Sequence, residues 1–200
     1  MSETCHVPRE TSERLHLLKE TVIAESTRQN LISAATIPQF DERHIEDSLQ
    51  LLPHLPAGVL LDIGSGGGFP GLVLACCRTE STTHLVEPRA KRAEFLTRAA
   101  GILGIESHVR VHAVKVERVE LPPVAAITAR AVAALDALFT MAAPIADENT
   151  IWVLPKGRSA ASELEEARRT WQGDFRLVPS VTDPEAAIVI ATGVRRRRVR

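Results

Sequence analysis

Hydrophobic residues recur along the chain with two different periods, and the change of period divides the chain into two parts. Near the amino terminus, Leu15, Leu18 and Val22 stand three or four residues apart, as they do on the buried face of a helix. A second helical pattern follows a break at residues 30–33, which predicts a connecting loop. We therefore expect residues 1–56 to form a helical cap.

Beyond this cap, short apolar runs alternate with helical patterns. The runs predict strands at residues 59–63, 82–87, 109–113, 125–129, 151–154, 175–179 and 187–191, and the helical patterns predict helices at 69–77, 90–103, 135–143 and 160–171. Such alternation is typical of a parallel sheet with helices on both faces. No helix separates the last two strands, and the turn between them predicts an antiparallel hairpin. Seven strands that end in a hairpin resemble the sheet of class I S-adenosylmethionine-dependent methyltransferases, and we expect an α/β, Rossmann-like domain of this type over residues 57–194.

A glycine-rich turn follows the first predicted strand. From Gly64 to Gly71, five of eight residues are glycine, which would be a costly turn without a ligand. Two motifs overlap here, the GxGxxG of dinucleotide-binding enzymes and the DxGxGxG of methyltransferases. Asp62 would repel a pyrophosphate, and Pro70 removes a backbone donor that a pyrophosphate would use. The turn therefore favours S-adenosylmethionine over NAD, with Asp62, Gly64 and Gly66 in contact with it.

Further candidate cofactor residues follow the next strands. Glu87 ends the second strand, where a carboxylate can accept hydrogen bonds from the ribose hydroxyls of either cofactor. Val116 and Glu117 follow the third strand, where one apolar and one polar group commonly hold an adenine ring; a solvated acidic face is an equal explanation. Arg130 closes the fourth strand, at the edge that faces a substrate, although arginines in structural salt bridges are common too.

Five residues are candidates for contact with a nucleic-acid substrate, each with a simpler alternative. His44 and Asp47 stand three residues apart and share a helix face, as either a functional pair or a packing pair. Lys156 follows the fifth strand and either faces the substrate or caps the strand. Arg89 and Arg92 belong to a basic cluster that favours RNA but equally describes a solvated helix face.

The charge of the chain is balanced overall but uneven along it. There are 24 basic and 25 acidic residues, a formal net charge of −1, which by itself makes no case for nucleic acid. Five of the basic residues lie within residues 195–200, and the rest of the chain carries −6. We predict an arginine-rich tail at 195–200. In it, Arg195, Arg196 and Arg197 contact RNA phosphates next to the modified site, unless the tail is only a disordered, solubilising end.

Several classes of protein are excluded. The polar amino terminus has no apolar core of a signal peptide, and the apolar stretch at 124–146 is interrupted by Arg130, Asp136 and Pro144. The three cysteines have no zinc-binding spacing. We therefore expect a reduced, cytoplasmic protein without a metal or a membrane anchor.

Five segments in order carry a resemblance to a known family. They are Arg43-His44-Ile45-Glu46-Asp47-Ser48, the turn from Asp62 to Gly71, Val116-Glu117, Arg130-Ala131 and Leu154-Pro155-Lys156-Gly157. Together they resemble the RsmG family, formerly called GidB, whose members methylate N7 of a guanosine in the 530 loop of 16S ribosomal RNA. The resemblance implies that Gly64, Phe69, Val116, Glu117 and Arg130 contact S-adenosylmethionine, with Glu87 at the ribose.

This reaction shapes the expected site. Guanine N7 carries a lone pair and no proton, so its methylation needs no general base, and we assign no catalytic acid or base; Arg130 is a positioning candidate. The expected partner of the chain, a monomer, is 16S ribosomal RNA or the 30S subunit. The alternatives are a methyltransferase for another RNA site or a small molecule, a non-catalytic RNA-binding assembly factor, and, less compatible with Asp62, an NAD-dependent oxidoreductase.

Overall fold

The computed structural model describes residues 7–198 of the protein. Its α-helices are α1 (Arg9–Ser26), α2 (Asp47–Leu49), α3 (Gly71–Cys77), α4 (Ala90–Ile102), α5 (Leu135–Ala142) and α6 (Ala160–Thr170). Its strands are β1 (Leu60–Ile63), β2 (Thr83–Val86), β3 (Val109–His112), β4 (Ala126–Ala129), β5 (Ile151–Lys156), β6 (Trp171–Pro179) and β7 (Ala187–Arg196). No helix in this part of the chain is long and apolar enough to cross a bilayer. Cys5 lies outside the described residues.

All seven strands join in one sheet with the order β3-β2-β1-β4-β5-β7-β6. β1 to β5 are parallel, and β7 runs antiparallel between β5 and β6. Every residue of β1 and β4 is buried. Strands covered on both faces need no polar side, which is why their sequences do not alternate; their polar residues, Asp62 and Thr128, hydrogen-bond to each other. The predicted seven-stranded sheet with a C-terminal antiparallel hairpin is confirmed.

The amino-terminal helices pack onto one face of the sheet. Leu15, Leu18 and Val22 on α1 are buried in the same hydrophobic cluster as Phe69 and Phe95. After the predicted loop, the chain continues through a 3₁₀-helix (Ala34–Gln39), a π-helix (Asp41–Glu46), α2 and a second 3₁₀-helix (Leu52–His54). Because the cap and the sheet share one core cluster, the boundary at residue 56 stays a prediction.

Two C-terminal boundaries differ from those predicted. β6 begins at Trp171, immediately after α6, rather than at residue 175. β7 does not stop at residue 191 but continues to Arg196, and Arg195 and Arg196 pair with Gln172 and Trp171. The first two residues of the predicted tail at 195–200 therefore belong to the sheet, and its last two lie outside the described residues. This correction arises because pairing with β6 satisfies the arginine backbones while their side chains stay exposed.

Candidate functional site

The carboxyl ends of the five parallel strands meet at one edge of the sheet. The strand order reverses between β1 and β4, and a sheet of this type binds its ligands at such a switch point. The glycine turn follows β1, Glu87 follows β2 and Arg130 follows β4. Val116 and Glu117 form a short 3₁₀-helix after β3. The structure thus brings all the predicted cofactor residues to this one edge.

Glycine conformation and one carboxylate shape the turn after β1. Gly64, Gly66 and Gly68 have φ angles of +68°, +54° and +96°, in the left-handed region that L side chains rarely adopt. The Gly66 backbone N–H donates to Glu87 Oε2 at 3.1 Å, and the Arg89 backbone N–H donates to Glu87 Oε1 at 2.9 Å. The Glu87 carboxylate at the end of β2 therefore holds the turn in place.

Asp62 lies beneath this turn, buried in the sheet. Its Oδ1 accepts a hydrogen bond from the Thr128 hydroxyl at 2.8 Å, and burial raises the pKa of Asp62 to about 6. A Cβ on Gly71 would lie 2.6 Å from Asp62 Oδ2 and 2.4 Å from Leu85 Cδ2, so glycine lets α3 pack directly on β1 and β2. With an exposed fraction of 1%, Asp62 supports the turn, and its contact with a cofactor stays a prediction.

The residues around the turn fit S-adenosylmethionine. A Cβ on Gly66 would meet no heavy atom closer than 3.6 Å, so the backbone there is open to a ligand. Val116 is buried and Glu117 is exposed, an arrangement that suits the predicted adenine site with one apolar and one polar wall; the assignment of Glu87 to the ribose stays a prediction. Phe69 differs, because its ring is buried and faces the cap.

Arg130 connects the end of β4 to the cap and to the turn. Its Nη1 donates to Asp47 Oδ2 at 3.0 Å and to the Arg43 carbonyl at 2.9 Å, and its Nη2 lies 3.2 Å from His44 Nδ1. The guanidinium carbon stands 5.4 Å from the centre of the Phe69 ring. We call Arg130, His44, Asp47 and Phe69 the arginine cluster. It joins three segments that are far apart in sequence.

His44 and Phe69 are the buried members of the arginine cluster. The His44 ring stacks on Phe69 at a centroid distance of 4.9 Å, and its Nε2 lies 3.0 Å from the Thr36 hydroxyl. Burial, together with the charge of Arg130, lowers the pKa of His44 to about 4. The ring is therefore neutral at pH 7. Because an arginine only donates, Nδ1 accepts from Arg130 and Nε2–H donates to Thr36.

A cleft of about 420 Å³ opens beside the arginine cluster, at the ends of β4 and β5. Arg130 and Asp47 form one wall, and the turn of the β6–β7 hairpin forms another. Thr182 donates to Asp47 Oδ1 at 3.0 Å, and the Val181 backbone N–H donates to Gln50 Oε1 at 2.9 Å. The roles of Gln50 and Thr182 were not predicted, because nothing in their spacing signals a contact across about 130 residues.

Lys156 lines this cleft but is not a free cation. Its Nζ donates to the Ala133 carbonyl at 2.5 Å and lies 2.9 Å from Glu163 Oε2, and only 9% of its side chain is exposed. It thereby fixes the segment after Arg130, in which Val132 packs against Gly64. This placement favours positioning of the segment over the predicted contact with RNA.

The predicted basic residues lie at two opposite edges. Arg89 and Arg92 stand at the start of α4 on the cofactor edge, where Arg92 donates to the Asn30 carbonyl at 2.7 Å. β7 begins at the cofactor edge, where Ala187 pairs with Lys156, and runs away from it. Nine residue steps of about 3.3 Å carry the chain roughly 30 Å to Arg196. The structure therefore separates Arg195, Arg196 and Arg197 from the site they were expected to adjoin.

Within residues 7–198, no three His, Cys, Asp or Glu side chains gather as a metal site. Cys76 is buried in α3, where burial raises the pKa of its thiol to about 12, so that it stays an unreactive thiol.

Comparison with known proteins agrees with this architecture. The family described as GidB, rRNA small subunit methyltransferase G, matches residues 11–187. The chain is similar to "Ribosomal RNA small subunit methyltransferase G" of Rhizorhabdus wittichii, with 48% identity over 96% of this chain and 89% of the relative. It is also similar to the protein of that name from Zymomonas mobilis, with 41% identity over 96% of this chain and 90% of the relative.

A solved structure supports the fold class. The crystal structure of an S-adenosylmethionine-dependent methyltransferase from Aquifex aeolicus superposes with a TM-score of 0.59 and 14% identity, over 78% of this chain and 92% of that one. The class I methyltransferase fold is thereby confirmed, and the predicted family, enzyme class and cofactor are confirmed by the family match. The chain belongs to the rRNA small subunit methyltransferase G family.

Proposed function

We propose that this chain transfers the methyl group of S-adenosylmethionine to N7 of a guanosine in the 530 loop of 16S ribosomal RNA. The observation that carries the proposal is that the glycine turn and the cleft adjoin, with Arg130 and Val132 between them. A cofactor over the turn and a base in the cleft would therefore meet at the end of β4. The same proposal makes the protein a cytoplasmic monomer that acts on the RNA or on the 30S subunit.

S-adenosylmethionine would supply an electrophilic methyl group on a sulfonium. On this chain, the open backbone of Gly66 would hold it, next to Gly64, which Val132 covers; the Glu87 carboxylate would accept from the ribose, and Val116 with Glu117 would flank the adenine. Arg130 would fix the boundary between the two ligands through its bonds to Asp47 and the Arg43 carbonyl.

The arginine cluster supports a reaction without a general base. His44 is neutral with both ring nitrogens engaged, and both oxygens of Asp47 accept hydrogen bonds, from Arg130 and from Thr182. Neither group is free to remove a proton, and guanine N7 has none to remove. The contribution of the chain is then to align nucleophile and methyl group, which can lower a barrier substantially.

The size of the cleft indicates that the guanine enters it unstacked and unpaired. Its volume of about 420 Å³ lies in the range typical of pockets for small ligands, which suits one unstacked base rather than a base pair. A base must leave its stack to enter such a pocket, and a loop makes this easier. The proposal therefore matches a loop substrate.

Tritium-labelled S-adenosylmethionine tests the proposal with 16S RNA and 30S particles that lack the modification. Borohydride and aniline cleave RNA at N7-methylguanosine, so we expect label in the RNA and one cleavage in the 530 loop. Label at another atom would contradict the N7 assignment. Cofactor and RNA binding without any transfer would favour the non-catalytic assembly factor.

A further inference from the structure

The last strand carries exposed arginines to the edge of the sheet opposite the proposed active site. Arg195 and Arg196 belong to β7 and are exposed, and their registry places them beyond the amino end of β5. Roughly 30 Å of strand separates them from the cofactor edge. Their position is fixed by strand pairing, so they are not a loose end that could fold back to the site.

The backbone of this segment is held on both sides. Arg196 pairs with Trp171, and the Arg197 backbone N–H donates to the Thr170 carbonyl at 2.8 Å. The Arg197 side chain donates through Nε to the Arg168 carbonyl at 2.7 Å, in the last turn of α6. A basic side chain there satisfies a carbonyl that the helix leaves free. A disordered, solubilising end would not need these backbone and side-chain hydrogen bonds. They therefore argue against that alternative for residues 195–197.

The arginines here keep their charge available. Among residues 7–198, neither Arg195 nor Arg196 forms an ion pair with a carboxylate, whereas Arg130 and Lys156 at the other edge are both paired. Arg168 and Arg169, at the end of α6, lie at the same edge, but they form ion pairs with Glu165 at 3.9 Å and with Glu166 at 3.0 Å. We call Arg168, Arg169, Arg195, Arg196 and Arg197 the distal arginine patch.

We propose that the distal arginine patch is a second RNA-binding surface, which grips phosphates of the ribosomal RNA away from the methylated loop. This inference rests on the proposed function for the identity of the RNA. An exposed guanidinium is suited to phosphate, and a chain that is otherwise acidic needs local positive charge to approach RNA. The roughly 30 Å between the two surfaces is longer than a loop of a few nucleotides can span, whereas a long RNA can reach both.

RNA length makes the inference testable. The variant Arg195→Gln/Arg196→Gln keeps Arg197 and its bond to α6. The control Arg9→Gln/Arg28→Gln removes the same charge from exposed positions at the start of α1 and two residues beyond its end. Each protein is titrated with three probes: a short hairpin bearing the 530 loop, a long 16S fragment, and the 30S particle. Circular dichroism confirms that each variant is folded.

On the long fragment we expect the patch variant to bind about tenfold or more weakly than wild type at 0.1 M salt. Its salt slope should be flatter by about 1.4–1.8, because two phosphate contacts are lost. On the short hairpin it should bind as wild type does, and the rate at saturating RNA should not change. The control should behave as wild type on all probes.

Four results would overturn the inference: equal weakening on the short hairpin, no effect on any RNA, an equal effect of the control, or an effect on the 30S particle alone, which would indicate a protein partner. Binding is measured without methyl transfer. If the wild-type protein binds the long RNA through the distal arginine patch but methylates no RNA, the proposed function is wrong, and the inference that the patch binds RNA is still supported.

Discussion

The glycine turn and the arginine cluster lie side by side at one edge of the sheet, but they are built in different ways. The turn comes from one stretch of ten residues, and its main external partner is Glu87 on the neighbouring strand. The cluster joins Arg130 to His44 and Asp47, which lie more than 80 residues away. The turn is therefore a product of local backbone chemistry, whereas the cluster exists only when the cap docks on the sheet.

Because of this difference, we expect substitutions in the two regions to impair different properties of the protein. Damage to the turn should remove cofactor binding, while damage to the cluster should mainly remove methyl transfer and the docking of the cap. The predictions that follow test whether the two regions respond in this way.

The largest effect is expected at Gly66. Gly66→Val places a β-branched residue at φ +54° in the open backbone of the turn, which should reduce S-adenosylmethionine affinity by roughly 100-fold or more and cost about 1–2 kcal/mol of stability. Gly104→Val is the matched control, because Gly104 has φ +64° and no heavy atom near its Cβ position. Calorimetry should show a similar loss of stability in both but normal cofactor binding in the control. Equal cofactor affinities of the two variants would contradict the role of the glycine turn in cofactor binding.

Arg130→Met tests the cluster. It should lower kcat/KM for methyl transfer by roughly 100-fold, because a small misalignment of the two reacting groups reduces the rate by about that factor. Cofactor affinity should change less, because the hydrogen bonds of Arg130 go to the cap, and its contact with the turn is with the Phe69 ring, which itself faces the cap. Arg176→Met, on the exposed face of β6, is the control. Cofactor affinity is measured by titration, and kcat/KM is measured independently by steady-state kinetics. A variant that loses cofactor binding and transfer equally would show that the two regions are one unit.

Gly71→Ala should destabilise the fold by about 1–3 kcal/mol, because its Cβ would overlap Leu85 and the buried Asp62 carboxylate. Gly101→Ala, within α4, meets nothing within 4 Å and should instead stabilise by up to about 1 kcal/mol. Urea unfolding measures both. A neutral Gly71→Ala would mean that α3 can shift away from the sheet at no cost.

The stability of the protein should depend on pH in opposite directions through the two regions, because the pKa of His44 in the arginine cluster is lowered and that of Asp62 at the turn is raised. The pKa of His44 is lowered from 6.5 to about 4, so the unfolded chain binds more protons between these values and stability is lost as pH falls through them. The pKa of Asp62 is raised from 3.8 to about 6, so the folded chain binds more protons in that window and stability is lost as pH rises through it. The two effects oppose each other in the wild type.

Single variants expose each effect. His44→Gln should remove the loss of stability at acid pH, and Asp62→Asn should stabilise the protein at pH 7, each on the order of 1–3 kcal/mol. His16→Gln, at an exposed position, is the control. Urea midpoints at pH 5 and 7 provide the measurement. A His44→Gln profile parallel to wild type would show that burial of this ring does not govern acid stability.

The sequence by itself determined the sheet and the glycine turn, because both depend on local chemistry. Buried parallel strands are apolar runs, and a sharp turn at positive φ requires glycine, so β1, the turn and Glu87 were all predicted at their observed places. The hairpin was also predicted, but the extent of β7 was not, because polar arginines at an edge give no hydrophobic period.

Only the tertiary structure decided which side chains meet. Lys156 is paired with Glu163 and the Ala133 carbonyl, and Arg130 with the cap, because topology and helix packing bring distant segments together. The direction of β7 likewise depends on its insertion between β5 and β6. That insertion turns the arginines away from the site, a consequence of strand order that no local pattern encodes.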